Sequence, residues 1–206
     1  MIVLAIDTCG PSGSIALGRV ESGRISVLGE AQLPGKTYAA QLVPATRDLL
    51  KFHNLSTASL NAIVIVNGPG SFTGIRIGVS SAKGFAEALD IPLLALSRLA
   101  ILAAKANTGS AALDAGRGEF YFRDHGREFL AKPAPAPTSG TLAICEPAAL
   151  QHFPAAILVE PPSAADALNF ALPQLIARDF ADVATLDGNY LRRSDAEIFA
   201  KSAGKI

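Results

Sequence analysis

Asn67-Gly68-Pro69-Gly70-Ser71-Phe72-Thr73-Gly74-Ile75-Arg76-Ile77-Gly78-Val79 is the stretch that decides how this chain is read. It follows the apolar run Ala62 to Val66 and leads into a helical pattern that reaches Leu89. A strand feeding a glycine-rich turn that opens a helix leaves backbone N–H groups unpaired, where an anion or another stretch of backbone can approach closely. Two readings stand for the motif turn, Gly68, Pro69, Gly70, Ser71, Phe72 and Thr73: a phosphate cradle, or a strand-to-helix turn. Thr73 sits where a dinucleotide fingerprint wants its third glycine, and no Gly-Lys-Ser/Thr follows as a P-loop requires. The structural turn is therefore the default.

Working outward, three strand-like runs precede this block, Ile2 to Ile6, Ser14 to Leu17 and Arg24 to Gln32, separated by Gly-, Pro- and Ser-containing turns. A helical pattern from about Tyr38 to Phe52 contains Pro44, which should kink it or delay its start. The strand Ala62 to Val66, the helix Thr73 to Leu89 and the run Pro92 to Leu96 complete a βββαβαβ order. That order predicts a mixed sheet covered by helices, because the crossovers need parallel neighbours. After a connecting helix from about Ser97 to Ala106, the pattern starts again. Ala112-Leu113-Asp114-Ala115-Gly116-Arg117-Gly118 followed by Glu119 to Phe122 echoes Ala5-Ile6-Asp7-Thr8 and its hairpin, which points to two half-molecules of similar topology. We place their boundary between residues 97 and 98, giving lobes 1–97 and 98–206. The second half is abbreviated: an extended proline-rich loop from Lys132 to Pro137, short apolar runs Thr141 to Cys145 and Ala156 to Val159, then a helix from about Ala164 to Phe180. That helix has Ala165, Leu168, Leu172, Leu175 and Ile176 available for one face, and Pro173 predicts a break in it.

Half of the 206 residues are hydrophobic, enough for a sizeable core, and 18 basic residues balance 18 acidic ones. That balance removes the overall positive field of a free-standing nucleic-acid binder. Two cysteines, Cys9 and Cys145, fit neither a disulfide framework nor a zinc site and agree with a cytoplasmic protein. No run approaches the ~18 apolar residues of a membrane span, and Met1 to Ile6 meets Asp7 at once, reading as a strand and not a signal peptide.

No catalytic residue and no metal site is assigned from the sequence. His53, His125 and His152 are mutually distant and form no His-x-x-x-His pair. Cys9 reads as a small buried side chain sooner than a nucleophile. Asp7 with Thr8, and Asp114, are candidate nucleotide ligands at their hairpin turns; the alternative is that each Asp caps its own turn. Along the helix after the glycine turn, Ile75, Val79, Ala82, Ala86 and Leu89 form an apolar stripe for the sheet. Gly74, Gly78, Ser81 and Phe85 form an adjacent small-residue stripe that serves either internal packing or the close approach of a partner helix. Arg76 and Arg192 are candidates to pair with a partner's carboxylates or with RNA phosphate.

Leu4-Ala5-Ile6-Asp7-Thr8, Gly68 to Gly78, Asp114 to Tyr121 and Tyr190-Leu191-Arg192 together resemble the TsaB (YeaZ) family of tRNA threonylcarbamoyladenosine biosynthesis, in that family's order along nearly the whole chain. The resemblance implies an α/β, two-lobed actin/hexokinase/Hsp70-like fold with each lobe ribonuclease-H-like. It implies a non-catalytic scaffold that binds the paralogue TsaD, which transfers threonylcarbamoyl to adenosine 37 of tRNAs reading codons that begin with A. It further implies that the ATPase TsaE joins the complex, that Mg-ATP and a metal ion belong to those partners, that tRNA is touched indirectly and that the chain alone can form a homodimer. Gly74, Arg76, Gly78, Ser81 and Phe85 are then the expected partner interface, since that family pairs the helices of its first lobe with another chain. Tyr38 stands where family members commonly place a histidine. The competing reading is an independent actin-like ATPase or small-molecule phosphotransferase, favoured by Asp7-Thr8 and the duplicated Asp114.

Overall fold

The computed structural model describes residues 1–134, 138 and 140–192. Residues 135–137, within the loop expected to be extended, lie outside the described residues, as do 139 and 193–206.

The first sheet is built from β1 (Ile2–Asp7), β2 (Gly13–Glu21), β3 (Arg24–Leu33), β4 (Leu60–Val66) and β5 (Leu93–Leu96), in the spatial order β3-β2-β1-β4-β5. β1 pairs antiparallel with β2, which pairs antiparallel with β3, while β1, β4 and β5 run parallel. The central strands are continuous apolar runs because both faces of the sheet are covered; β4 reads Leu-Asn-Ala-Ile-Val-Ile-Val and buries all but Asn61. β3 alternates and is half exposed, as suits an edge.

The second sheet contains β6 (Ser110–Gly116), β7 (Glu119–Asp124), β8 (Arg127–Ala131), β9 (Leu142–Ile144) and β10 (Ile157–Leu158), ordered β10-β9-β6-β7-β8. Counted from its own first strand, this is the arrangement of the first sheet: an antiparallel three-strand meander with two parallel strands beyond its first member. The duplicated strand-Asp-turn-strand pattern therefore reports a duplicated topology, two ribonuclease-H-like lobes of the actin/hexokinase/Hsp70 class. β8 has no counterpart among the expected strands. Its hairpin is made by His125-Gly126, both at positive φ, and a strand of five residues with two charges at its start gives little apolar periodicity to detect.

Helices join the lobes. α1 (Tyr38–Phe52) and α2 (Phe72–Leu89) belong to the first sheet, and α3 (Arg98–Lys105) leaves that sheet to pack on β6, β7 and β9. α4 (Ala164–Ala177) returns to lie across β1, β2, β3, β4 and β5. Its N-terminus is fixed by a capping box between Ser163 and Asp166 and by Ser14 Oγ, which accepts from Ala164 N at 2.8 Å. The chain then follows the β5 edge, where Ala181 N donates to Leu93 O at 2.8 Å.

Of the two internal prolines, Pro173 departs from expectation, with no break in the helix there. α1 starts at Tyr38 and runs through Pro44, and α4 runs through Pro173 to Ala177. In each case the proline and the residue four positions earlier, Ala40 or Asn169, are exposed, so water can meet the carbonyl that loses its N–H partner. The α4 face is also corrected: Ala164, Ala167, Leu168, Ala171 and Leu175 are buried, whereas Ile176 points outward at 56% exposure.

Candidate functional site

The turn after β1 is packed from every side. Asp7 is 2% exposed; its Oδ1 accepts from Cys9 N at 2.8 Å, closing a local turn, and its Oδ2 lies 3.8 Å from Arg98 Nε. Arg98, the first residue of α3, is itself 6% exposed. Burial pushes the Asp7 carboxyl above its ordinary range while Arg98 pulls it back. Burial lowers the guanidinium, but the Asp7 charge together with Cys9, Cys145 and Glu146 outweighs it and leaves it raised. Tyr38 is buried and donates its hydroxyl to Gly10 O at 2.9 Å.

Thr8 is corrected from nucleotide ligand to strut: it is fully buried and its hydroxyl donates to Gly74 O at 2.7 Å. Cys9 is buried as a small side chain, with Sγ against Val66 O at 3.1 Å, and burial beside Asp7 pushes its thiol well up, the opposite of an activated nucleophile.

The glycine block is a crossing of backbones. Ser71 N donates to Cys9 O at 2.7 Å, Arg98 N to Gly68 O at 2.6 Å and Asn189 N to Asn67 O at 2.7 Å. A Cβ at Gly70 would fall 2.3 Å from Cys9 O, and one at Gly74 would fall 2.0 Å from Thr8 O. Ser71 caps α2, its Oγ accepting from Gly74 N. The block thus locks the β1 turn, the start of α3 and the returning C-terminal segment to one another, the structural alternative of the two readings.

This geometry also corrects the small-residue stripe. Gly74 and Gly78 are buried on the inner side of α2 beside Ile75, Val79, Ala82 and Ala86; a Cβ at Gly78 would fall 2.2 Å from Thr8 Oγ1 and 3.2 Å from Ile65 Cδ1. Both glycines admit the first lobe's own turn, not a partner helix. Ser81 and Phe85 are half-buried and Arg76 is exposed, its guanidinium 4.1 Å from the centre of the Phe72 ring. Phe72 in turn packs on Tyr190 at 4.8 Å. The open side of α2 carries Thr73, Ser80, Gly84, Glu87 and Ala88.

Asp114 lies two residues before the end of β6, as Asp7 lies at the end of β1, and its Oδ1 accepts from Gly116 N at 2.6 Å, but it is exposed. Arg192 is spent inside the chain, donating to Glu119 Oε2 at 2.8 Å and to Gly116 O at 3.1 Å. His53 packs on Phe52, His152 on Phe120, and His125 lies over Gly109. Among the described residues no group of three His, Cys, Asp or Glu side chains could hold a metal ion.

Between the two Asp turns lies a cleft of 780 Å³, walled by Lys36, Tyr38, Ser71 and Arg98 on one side and Asp114, Tyr121 and Glu146 on the other. Arg98 and Glu146 were not among the residues expected from the sequence. Each is an isolated charge at the edge of an apolar run, and only the duplicated topology brings them into one cleft. Burial pushes the Glu146 carboxyl up, with Arg98 opposing.

The family profile of the tRNA N6-adenosine threonylcarbamoyltransferase TsaD matches residues 32–132. The tRNA threonylcarbamoyladenosine biosynthesis protein TsaB of Bacillus subtilis is 38% identical over 125 residues, 59% of this chain and 53% of that protein. That of Escherichia coli is 33% identical over 134 residues, 62% and 56% respectively. The matched region thus spans about half the length of these curated relatives. The crystal structure of a Pseudomonas aeruginosa protein described as similar to peptidase YEAZ superposes with a TM-score of 0.75 at 28% identity, covering 93% of this chain and 99% of that one. A second, YeaZ from the same organism, gives 0.75 at 26%, covering 92% and 99%. The chain belongs to the TsaB (YeaZ) family. Its coverage of the YeaZ structures means that the second lobe, short as it is, has a counterpart in them. Among the described residues no helix is long and apolar enough to cross a membrane.

Proposed function

We propose that the chain is a non-catalytic subunit in the biosynthesis of threonylcarbamoyladenosine in tRNA. The observation that carries this reading is the buried Asp7–Arg98 pair. In actin-like kinases the Asp of the first hairpin holds a Mg-bound water; here a guanidinium stands against that carboxylate, and Pro11 removes one N–H from the turn beside it. A tethered cation in front of Asp7 opposes a divalent ion at the same carboxylate. The names of the Bacillus and Escherichia relatives support the pathway.

On this reading the chain binds a TsaD-type paralogue, and TsaE joins that assembly. Mg-ATP, the metal ion and the transfer of threonylcarbamoyl to adenosine belong to those partners, with tRNA reaching this chain indirectly. The outward side of α2, together with exposed Ala39, Ala40 and Val43 of α1, supplies a low, small-residue surface for a partner helix or a second copy of the chain. A Cβ added at Gly84 meets nothing within 4 Å, so backbone can approach there. Arg76 remains in the proposed interface; Gly74 and Gly78 leave it.

Reconstitution tests this. Modification of tRNA by the paralogue and the ATPase should require this chain, while the chain alone turns over no Mg-ATP. The rival reading, an independent ATPase or phosphotransferase, draws on the 780 Å³ cleft between the duplicated turns. Calorimetry with Mg-ATP showing tight binding, and turnover lost in Asp7→Ala, would establish that rival instead.

A further inference from the structure

Two shielded polar atoms in the cleft have no hydrogen-bond partner: Arg98 Nε and Glu146 Oε2. Arg98 Nε faces the Asp7 carboxylate at 3.8 Å, an ion pair too long for a hydrogen bond, and no donor reaches Glu146 Oε2. An unmade hydrogen bond from a buried charged group is costly, so native structures satisfy such groups with protein, water or ligand. Arg98 is 94% withdrawn from solvent by its 6% exposure, yet it borders the cleft with its guanidinium laid over Gly10, whose Cβ would fall 2.7 Å from Nη2. The two atoms ask for opposite things, since Arg98 needs an acceptor and a carboxylate oxygen of Glu146 needs a donor.

The rest of the lining divides in the same way. Lys36, Arg98 and the N-terminal turn of α2 at Ser71 and Thr73 give one wall a positive character; Asp114 and Glu146 give the facing wall a negative one. Tyr38, Tyr121, Ile77 and Ala115 supply apolar surface between them. A nucleotide triphosphate suits this poorly, because its charge would face two carboxylates. A small zwitterion suits both walls at once.

We propose that the inter-lobe cleft is a binding site for a free α-amino acid, its carboxylate received by Arg98 and the α2 N-terminus and its ammonium by Glu146 and Asp114. The site is independent of the association proposed above, and its occupant holds the lobes together by bridging them.

The test is a thermal-shift and calorimetric panel on the full chain: the proteinogenic amino acids, the N-acetyl form and the carboxamide of each that binds, inorganic phosphate, and Mg-ATP. At least one free amino acid should raise the melting temperature by several degrees at saturating concentration, while its N-acetyl and carboxamide forms lose roughly ten- to a hundredfold in affinity, the value of a charge-assisted hydrogen bond. Glu146→Gln should weaken binding by a similar factor, and Lys36→Ala less. Arg98→Lys should weaken it while keeping the charge beside Asp7; if that variant misfolds, Glu146→Gln with the N-acetyl comparison still decides. Failure of every amino acid to bind at about 10 mM, well above usual metabolite-site constants, overturns the proposal and leaves the cleft to water. Equal binding of the N-acetyl and carboxamide forms, or displacement of the amino acid by phosphate alone, overturns it as well. Paralogue association, measured separately by pull-down, is unaffected by either result.

Discussion

Asp7 and Asp114 each stand at or near the end of the first strand of a sheet, and each accepts a hydrogen bond from the backbone N–H two residues further on, at 2.8 and 2.6 Å. Around the same bond the two lobes differ. Asp7 is buried against Arg98, with Tyr38, Cys9 and the glycine block closed over its turn; Asp114 stands exposed with Gly116 and Gly118 in open space. The local sequence builds the turn, and the lobe decides what the turn is for. In the first lobe it is the junction on which α2, α3 and the returning chain are pinned. In the second it is a rim of the cleft.

The largest expected effect breaks that contrast at its centre. Asp7→Ala leaves Arg98 as an uncompensated buried charge and should cost about 3 to 5 kcal/mol, whereas Asp114→Ala should cost under ~1 kcal/mol, both read from denaturant unfolding. Equal costs would mean that the two turns do the same work. Next in size is the same comparison on the two sides of α2. Gly74→Ala forces a methyl against Thr8 O and should cost about 1 to 3 kcal/mol, while Gly84→Ala, with open space around it, should gain up to ~1 kcal/mol of helix propensity.

A smaller effect concerns Glu146. Burial raises its folded-state pKa above the ordinary value of 4.5, so the native state holds the proton more tightly than the unfolded chain. Its contribution to stability is present at acid pH and is lost as pH rises through the raised value. Glu146→Gln should flatten that decline, so that its melting temperature gains on the parent as pH rises above the ordinary value of 4.5. An unchanged difference across the range would show the carboxyl to be solvated.

Much of the frame was legible because periodicity reports burial. The uninterrupted apolar runs of β1 and β4 and the stripe Ile75-Val79-Ala82-Ala86 mark the inner faces as they stand. The echo of Asp7 in Asp114 marked the duplicated meander. What stayed illegible depends on what a residue meets. Gly74 and Gly78 look equally fit for a partner helix and for Thr8, and only the path of the β1 turn decides between them. Arg98 and Glu146 carry no spacing signal, since they converge from the start of α3 and the end of β9. Pro173 misleads because the sequence shows the proline but not that the carbonyl it leaves unpaired lies on the exposed side of α4.

If the first lobe's interior is spent on its own junction, association falls to the outward side of α2, as proposed. Gly84→Arg tests it in one measurement, a paralogue pull-down on protein whose thermal melt has been recorded. Because Gly84 has nothing around it and arginine is the better helix former, the variant should melt at or above the parent temperature and yet lose the paralogue, and with it threonylcarbamoyl transfer in the reconstituted system. A folded Gly84→Arg that retains the paralogue at parental affinity would contradict the claim and move the interface away from α2.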